Sequence, residues 1–204
     1  MAKIRLTKSE LKKQKEELKR FVQYLPTLQL KKQQLQMEVN KIQNSLEDER
    51  KNMESFAKET DRWVDVFGEE VGIETMVRAE KILTDEGNIA GIDIPIFRDV
   101  EFKTEKYDLI RTPLWVDKGT EAIKKGMILK VRVQVREIQL ALVREELRTT
   151  TQRVNLFEKV KIPETQENIR VIQIFLGDLD VAAVVTGKIA KEKIQKKESA
   201  PVQS

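Results

Sequence analysis

The chain has 204 residues with neither cysteine nor histidine, which excludes thiolate and imidazole chemistry, disulfides and the usual zinc ligands. Charged residues make up 35% and aromatics only 5%, a composition that suits long helices and disfavours a large core of stacked rings. The net charge of +4 divides into +5 over residues 1–60, −7 over 61–122 and +6 over 123–204; without a basic patch studded with aromatics, this pattern does not read as a nucleic-acid binder.

Met1 to Arg5 lead into no apolar core of a secretory signal, and the run Val181 to Val185 is far short of the roughly 20 residues a membrane span needs. A position on the cytoplasmic side, free or peripheral to a membrane, is expected. The first arm is assigned to residues 1–82. Taking Ile4 as heptad position a, the series Ile4, Leu11, Leu18, Leu25, Val39 and Leu46 is interleaved at d by Phe21, Leu28, Leu35 and Ile42, and continues through Met53, Phe56 and Trp63. Such persistence predicts a coiled-coil seam with a left-handed supercoil. Some 65 residues at about 1.5 Å each would make a rod of roughly 100 Å. Pro26 is expected to kink it, and Lys32 puts a charge at an a position, where a polar group can fix register.

The middle, 83–112, is expected to be a β-hairpin segment. Ile92-Asp93-Ile94-Pro95-Ile96 and Val100-Glu101-Phe102 alternate with period two, with Pro95 fitting an edge strand. Tyr107 to Ile110 reads as a further strand. The alternating Ile92, Ile94 and Ile96 of the middle and its net −7 suggest a docking or regulatory element outside the seam. The second arm is assigned to 113–197, opening at Thr112-Pro113 as a cap and first helical residue. Apolar residues recur at Val131, Val135, Ile138 and Leu142, then at Ile169, Ile172, Leu176 and Leu179. Ile162-Pro163 breaks the stripe and predicts a fresh helix start. Residues 198–204 are expected to be a disordered tail. The fold class predicted is all-α dominated: a long antiparallel two-helix coiled coil with a short central β-hairpin. Equal arms would set Leu18 opposite Leu176.

No catalytic, cofactor or metal site is expected. Thr186-Gly187-Lys188 resembles part of a phosphate loop but lacks the glycine five residues earlier and a strand leading in. Glu16/Glu17, Glu47/Asp48/Glu49 and Glu145/Glu146 lie on the polar faces of amphipathic helices, where acid–base work has no dry cleft. Asp178 and Asp180 lack the further oxygen ligands of a metal loop.

Three segments together carry a resemblance. Arg153-Val154-Asn155-Leu156-Phe157-Glu158, then Ile162-Pro163, then Ile169, Ile172 and Leu176 resemble a pattern of the D subunit of the V-type and archaeal-type rotary ATPases. Ile89-Ala90-Gly91-Ile92-Asp93-Ile94-Pro95 is similar to that family's lead into its β-hairpin. Leu28-x-Leu30-Lys31-Lys32 with Leu35 resembles its first-arm segment. The positions that match are Lys31, Lys32, Gly91, Pro95, Arg153, Val154, Asn155, Glu158, Ile162 and Pro163. The chain departs from the pattern at Gln33-Gln34, at Leu156-Phe157 and at Gly177-Asp178-Leu179-Asp180. The resemblance implies a non-catalytic central axle: its termini enter a head of A and B subunits, and its other end meets the F subunit and the C subunit (d in eukaryotes), which link to a membrane ion-conducting ring. A free-standing coiled-coil scaffold or prefoldin-like holdase is the alternative.

Overall fold

The computed structural model describes residues 4–64, 73–104, 113 and 115–198. It is mostly helical, with one two-stranded antiparallel sheet. The elements are α1 (Lys8–Val64), the short α2 (Ile73–Met76), β1 (Val77–Ile89), β2 (Ile92–Thr104), α3 (Trp115–Leu156), a π-helical turn (Phe157–Lys161) and α4 (Ile162–Glu198). The first arm is therefore helical to Val64, and strand begins at Val77, ahead of the boundary expected at 83. Thr112, Tyr107 to Ile110 and the tail beyond Glu198 lie outside the described residues. Chain contacts divide the molecule into two units: Leu30–Thr151, and Met1–Gln29 with Gln152–Ser204.

In the unit Leu30–Thr151, one cluster unites Leu35, Val39, Ile42 and Leu46 of α1 with Val133, Leu140 and Val143 of α3 and Ile94 of β2. The α1 members fall at the a and d heptad positions, which a 3.5-residue repeat keeps on one face. Side chains fix the antiparallel course: Lys31 pairs with Glu146 at 2.7 Å, Arg144 donates to Gln43 at 3.1 Å, and Arg50 pairs with Glu137 at 2.6 Å. Val131, Val133 and Val135 are all buried, although alternate residues on a helix point in nearly opposite directions. The reason is that two elements cover this stretch. Val133 joins the cluster with α1, while Val131 and Val135 pack with Val100, Phe97 and Phe102 of β2.

The hairpin is thus not the free docking element that its alternation suggests. Ile94 is 5% exposed within the seam cluster, and Ile89 and Ile92 pack against it. Its turn has φ of 53° at Ala90 and 85° at Gly91, the positive pair of a type I′ connection. Asn88 holds the turn, accepting from the Gly91 amide at 2.9 Å and donating to Asp93 at 2.8 Å. Gly91 suits this conformation; alanine does not, because its Cβ crowds the carbonyl there. Replacing Ala90 with asparagine should raise stability by roughly 0.5–1 kcal/mol, since asparagine tolerates the left-handed region. A urea midpoint that falls instead would mean that the alanine methyl makes a contact worth more than the strain.

In the unit Met1–Gln29 with Gln152–Ser204, Phe21 stacks on Phe157 with ring centroids 5.2 Å apart, and Asn168 donates to Gln14 at 3.3 Å. Leu18 therefore faces the 157–168 stretch, at least two turns before Leu176. The expected register fails because the arms are not equal. With α1 starting at Lys8 and α4 running to Glu198, α4 continues beyond its partner, and every residue from Gly177 to Lys196 is exposed.

Pro163 does not begin a fresh helix. The chain passes from α3 to α4 through the π turn, where the Ile162 amide bonds the Phe157 carbonyl, five residues back. A proline lacks the amide that would bond the carbonyl four residues earlier, and its ring crowds that carbonyl. Widening the preceding turn to π spacing removes the conflict without breaking the helix. Thr165, 4% exposed, helps by donating to the Lys161 carbonyl at 2.6 Å. α1 likewise runs on through Pro26.

Candidate partner-binding surfaces

The seam positions differ in depth along α1. Leu35, Val39, Ile42 and Leu46 are buried, whereas Ile4, Leu11, Leu18, Phe21 and Leu28 are only half-buried. On α4, Ile172 is fully buried, Ile169 and Leu176 are half-buried, and Leu179 is 49% exposed. Among the described residues Leu179 therefore lies outside the seam, because no described part of α1 remains to face it.

The motif positions separate into inner and outer groups. Val154 is 3% exposed and Ile162 half-buried, while Arg153, Asn155, Glu158 and Pro163 face solvent around the π turn. Lys31 bridges to Glu146, with neither side chain fully exposed, and Lys32 is half-buried at its a position. Gly91 shapes the hairpin turn. Pro95 offers its carbonyl to the side-chain amide of Gln139 at 2.5 Å, and Gln139 is itself only 2% exposed. A buried amide without that acceptor would cost about 1–3 kcal/mol, so the bond fixes β2 on α3. Nothing in the local pattern around Gln139 distinguishes it from a surface glutamine, so its role has no signal in the sequence.

The surface that most needs a partner is the end of α4. Val171 (40%), Ile174 (52%) and Phe175 (38%) are followed by Val181 (64%), Val184 (59%), Val185 (50%), Ile189 (48%) and Ile194 (59%), all open to solvent. At 100° per residue, Val181, Val184, Val185 and Ile189 fall within an arc of about 140° and make one stripe, with Ile194 on another side. An amphipathic helix normally packs its apolar stripe, and exposed apolar surface of this extent marks a binding region. Lys188, Lys191, Lys193 and Lys196 interleave with it. They keep the free end soluble while their stems add to the apolar surface.

Among the described residues no group of three or more Asp or Glu is placed to hold a metal ion. Hydrogen bonds from Lys58 and Arg170 hold the Glu54 and Glu167 carboxyls below their usual range. Both groups lie in open solvent, where such pairs contribute little to stability. No described helix is long and apolar enough to cross a membrane.

Comparison with known proteins agrees in extent with this architecture. The family model for the ATP synthase D subunit matches residues 10–192. The V-type ATP synthase D subunit of Borreliella burgdorferi is 47% identical over 197 residues, spanning 97% of this chain and 98% of that one. The protein of the same name from Chlamydia pneumoniae is 37% identical, spanning 94% and 93%, and that from Chlamydia caviae is 34% identical, spanning 95% of each.

Proposed function

Because the chain belongs to the ATP synthase D-subunit family, we propose that it is the non-catalytic central axle of a V-type ATP synthase or ATPase. In this reading it couples ATP synthesis or hydrolysis in a head of A and B subunits to rotation of a membrane ion-translocating ring. The observation that carries the reading is the free end of α4, where Val181, Val184, Val185, Ile189 and Ile194 are all about half exposed or more. An axle end needs such a surface, because each subunit of a ring must contact it in turn as it rotates. Apolar contact is non-directional, so it can be exchanged between successive ring faces at little cost. Fixed ion pairs would have to be broken and desolvated anew at each step. The remainder of the chain would meet the F and C (or d) subunits, which connect it to the ring, and the whole would sit on the cytoplasmic side, peripheral to the membrane.

Native purification tests this. The tagged full chain should recover two larger ATPase-ring chains in constant ratio, with ATP turnover in the recovered assembly. Recovery of assorted misfolded clients would favour the holdase alternative, and recovery of the chain alone would leave a free-standing scaffold.

A further inference from the structure

Beside the seam, the unit Leu30–Thr151 holds a cleft of about 410 Å³ between β2 and α3, whose lining includes Phe97, Arg98, Arg132, Arg136 and Gln139. Arg132 and Arg136 are one turn apart on α3, a spacing that sets two like charges on one face and makes them repel. Each guanidinium is nevertheless held in place. Arg132 lies over the Phe97 ring, 5.4 Å from its centroid. Arg136 donates to Gln139 at 3.0 Å, and Gln139 is in turn anchored on the Pro95 carbonyl. Among the described residues neither arginine has a carboxylate at ion-pair distance. Arg98 adds a third guanidinium from β2, 3.6 Å from Asp85. Glu49 of α1 lines the same cleft without an ion pair to any of them.

We propose that this cleft binds a phosphate group, either free phosphate or the terminal phosphate of a nucleotide. Guanidinium forks match the spaced oxygens of phosphate and bind them in pairs. Arginines already oriented by a ring and a buried amide lose less freedom on binding than mobile ones. An anion between Arg132 and Arg136 also removes their repulsion. The apolar floor of Ile94 and Val135 strengthens the contact by keeping water away, and the volume lies in the range of small-molecule sites and not of flat protein interfaces. A bound phosphate would tie α3 to β2 and so stiffen the hairpin.

Titration calorimetry on the full chain at constant ionic strength, with inorganic phosphate, ADP and ATP as separate probes, tests the site. Saturable binding is expected, weakened about tenfold or more by Arg132→Gln and by Arg136→Gln. Arg132→Lys should also weaken it, because charge without the fork is insufficient. Arg50→Gln, in the neighbouring α1–α3 cleft, should leave it unchanged. Binding of the nucleotides without inorganic phosphate would identify a nucleotide as the ligand; binding of all three would identify the oxyanion itself. The proposal is overturned if none of the probes binds saturably, or if Arg132→Gln and Arg136→Gln bind as the parent does. It is equally overturned if those variants merely lower thermal stability without any phosphate dependence, since the arginines would then only pin the hairpin.

Discussion

Leu35→Ala should lower the stability of the unit Leu30–Thr151 by about 2–5 kcal/mol, read as a fall in urea midpoint at unchanged slope. Leu35 is 0% exposed and belongs to the cluster that α1 builds with α3. Truncation removes transfer energy and leaves a cavity in that seam. Leu30→Ala is the control. Leu30 is 60% exposed, so its loss should stay within roughly 0.5 kcal/mol. The pair separates a seam position from one five residues away with the same side chain. Equal effects would mean that the heptad phase does not decide what is buried.

The coiled-coil face of α1 is legible in sequence because a single partner covers it, and one partner means one period. Where α3 meets two partners the signal is scrambled: Val131, Val133 and Val135 read as a strand pattern inside a helix. β2 announces itself through Ile92, Ile94 and Ile96. β1 does not, because of its thirteen residues only Val77 is buried, and a strand without a buried face shows no alternation. Pro163 reads as a boundary, yet a π turn absorbs it, a solution that leaves no mark in composition. The register fails for a reason outside any local pattern. Equal arms would bring Leu18 to Leu176, whereas the surplus of α4 lies beyond its partner. The same surplus removes Leu179 from the seam, since its apolar spacing is genuine but no described residue covers it. Resemblance finds the motif positions, but their division into a buried Val154 and an outward Arg153, Asn155 and Glu158 needs the helix phase that the structure supplies. The arginine cleft has no sequence signal, because Arg98 and Arg132 are distant along the chain and meet only through the hairpin's packing on α3.

A disulfide from Val185→Cys to a cysteine on a neighbouring A or B subunit should reduce steady-state ATP turnover to background. Val185 is 50% exposed on α4, so a cysteine there disturbs no core contact, and the chain offers no other thiol to react. If hydrolysis at successive ring sites requires an axle to turn past each of them, one covalent bond stops the cycle, because apolar bearing contacts are individually weak and cannot pull it apart. The unoxidised variant should turn over as the parent does, and a reductant should restore the cross-linked sample. Those two controls separate arrest from misfolding. A quantitatively cross-linked assembly that still hydrolyses ATP at the full rate would show that the exposed end of α4 is a fixed anchor, and that the chain serves as a scaffold.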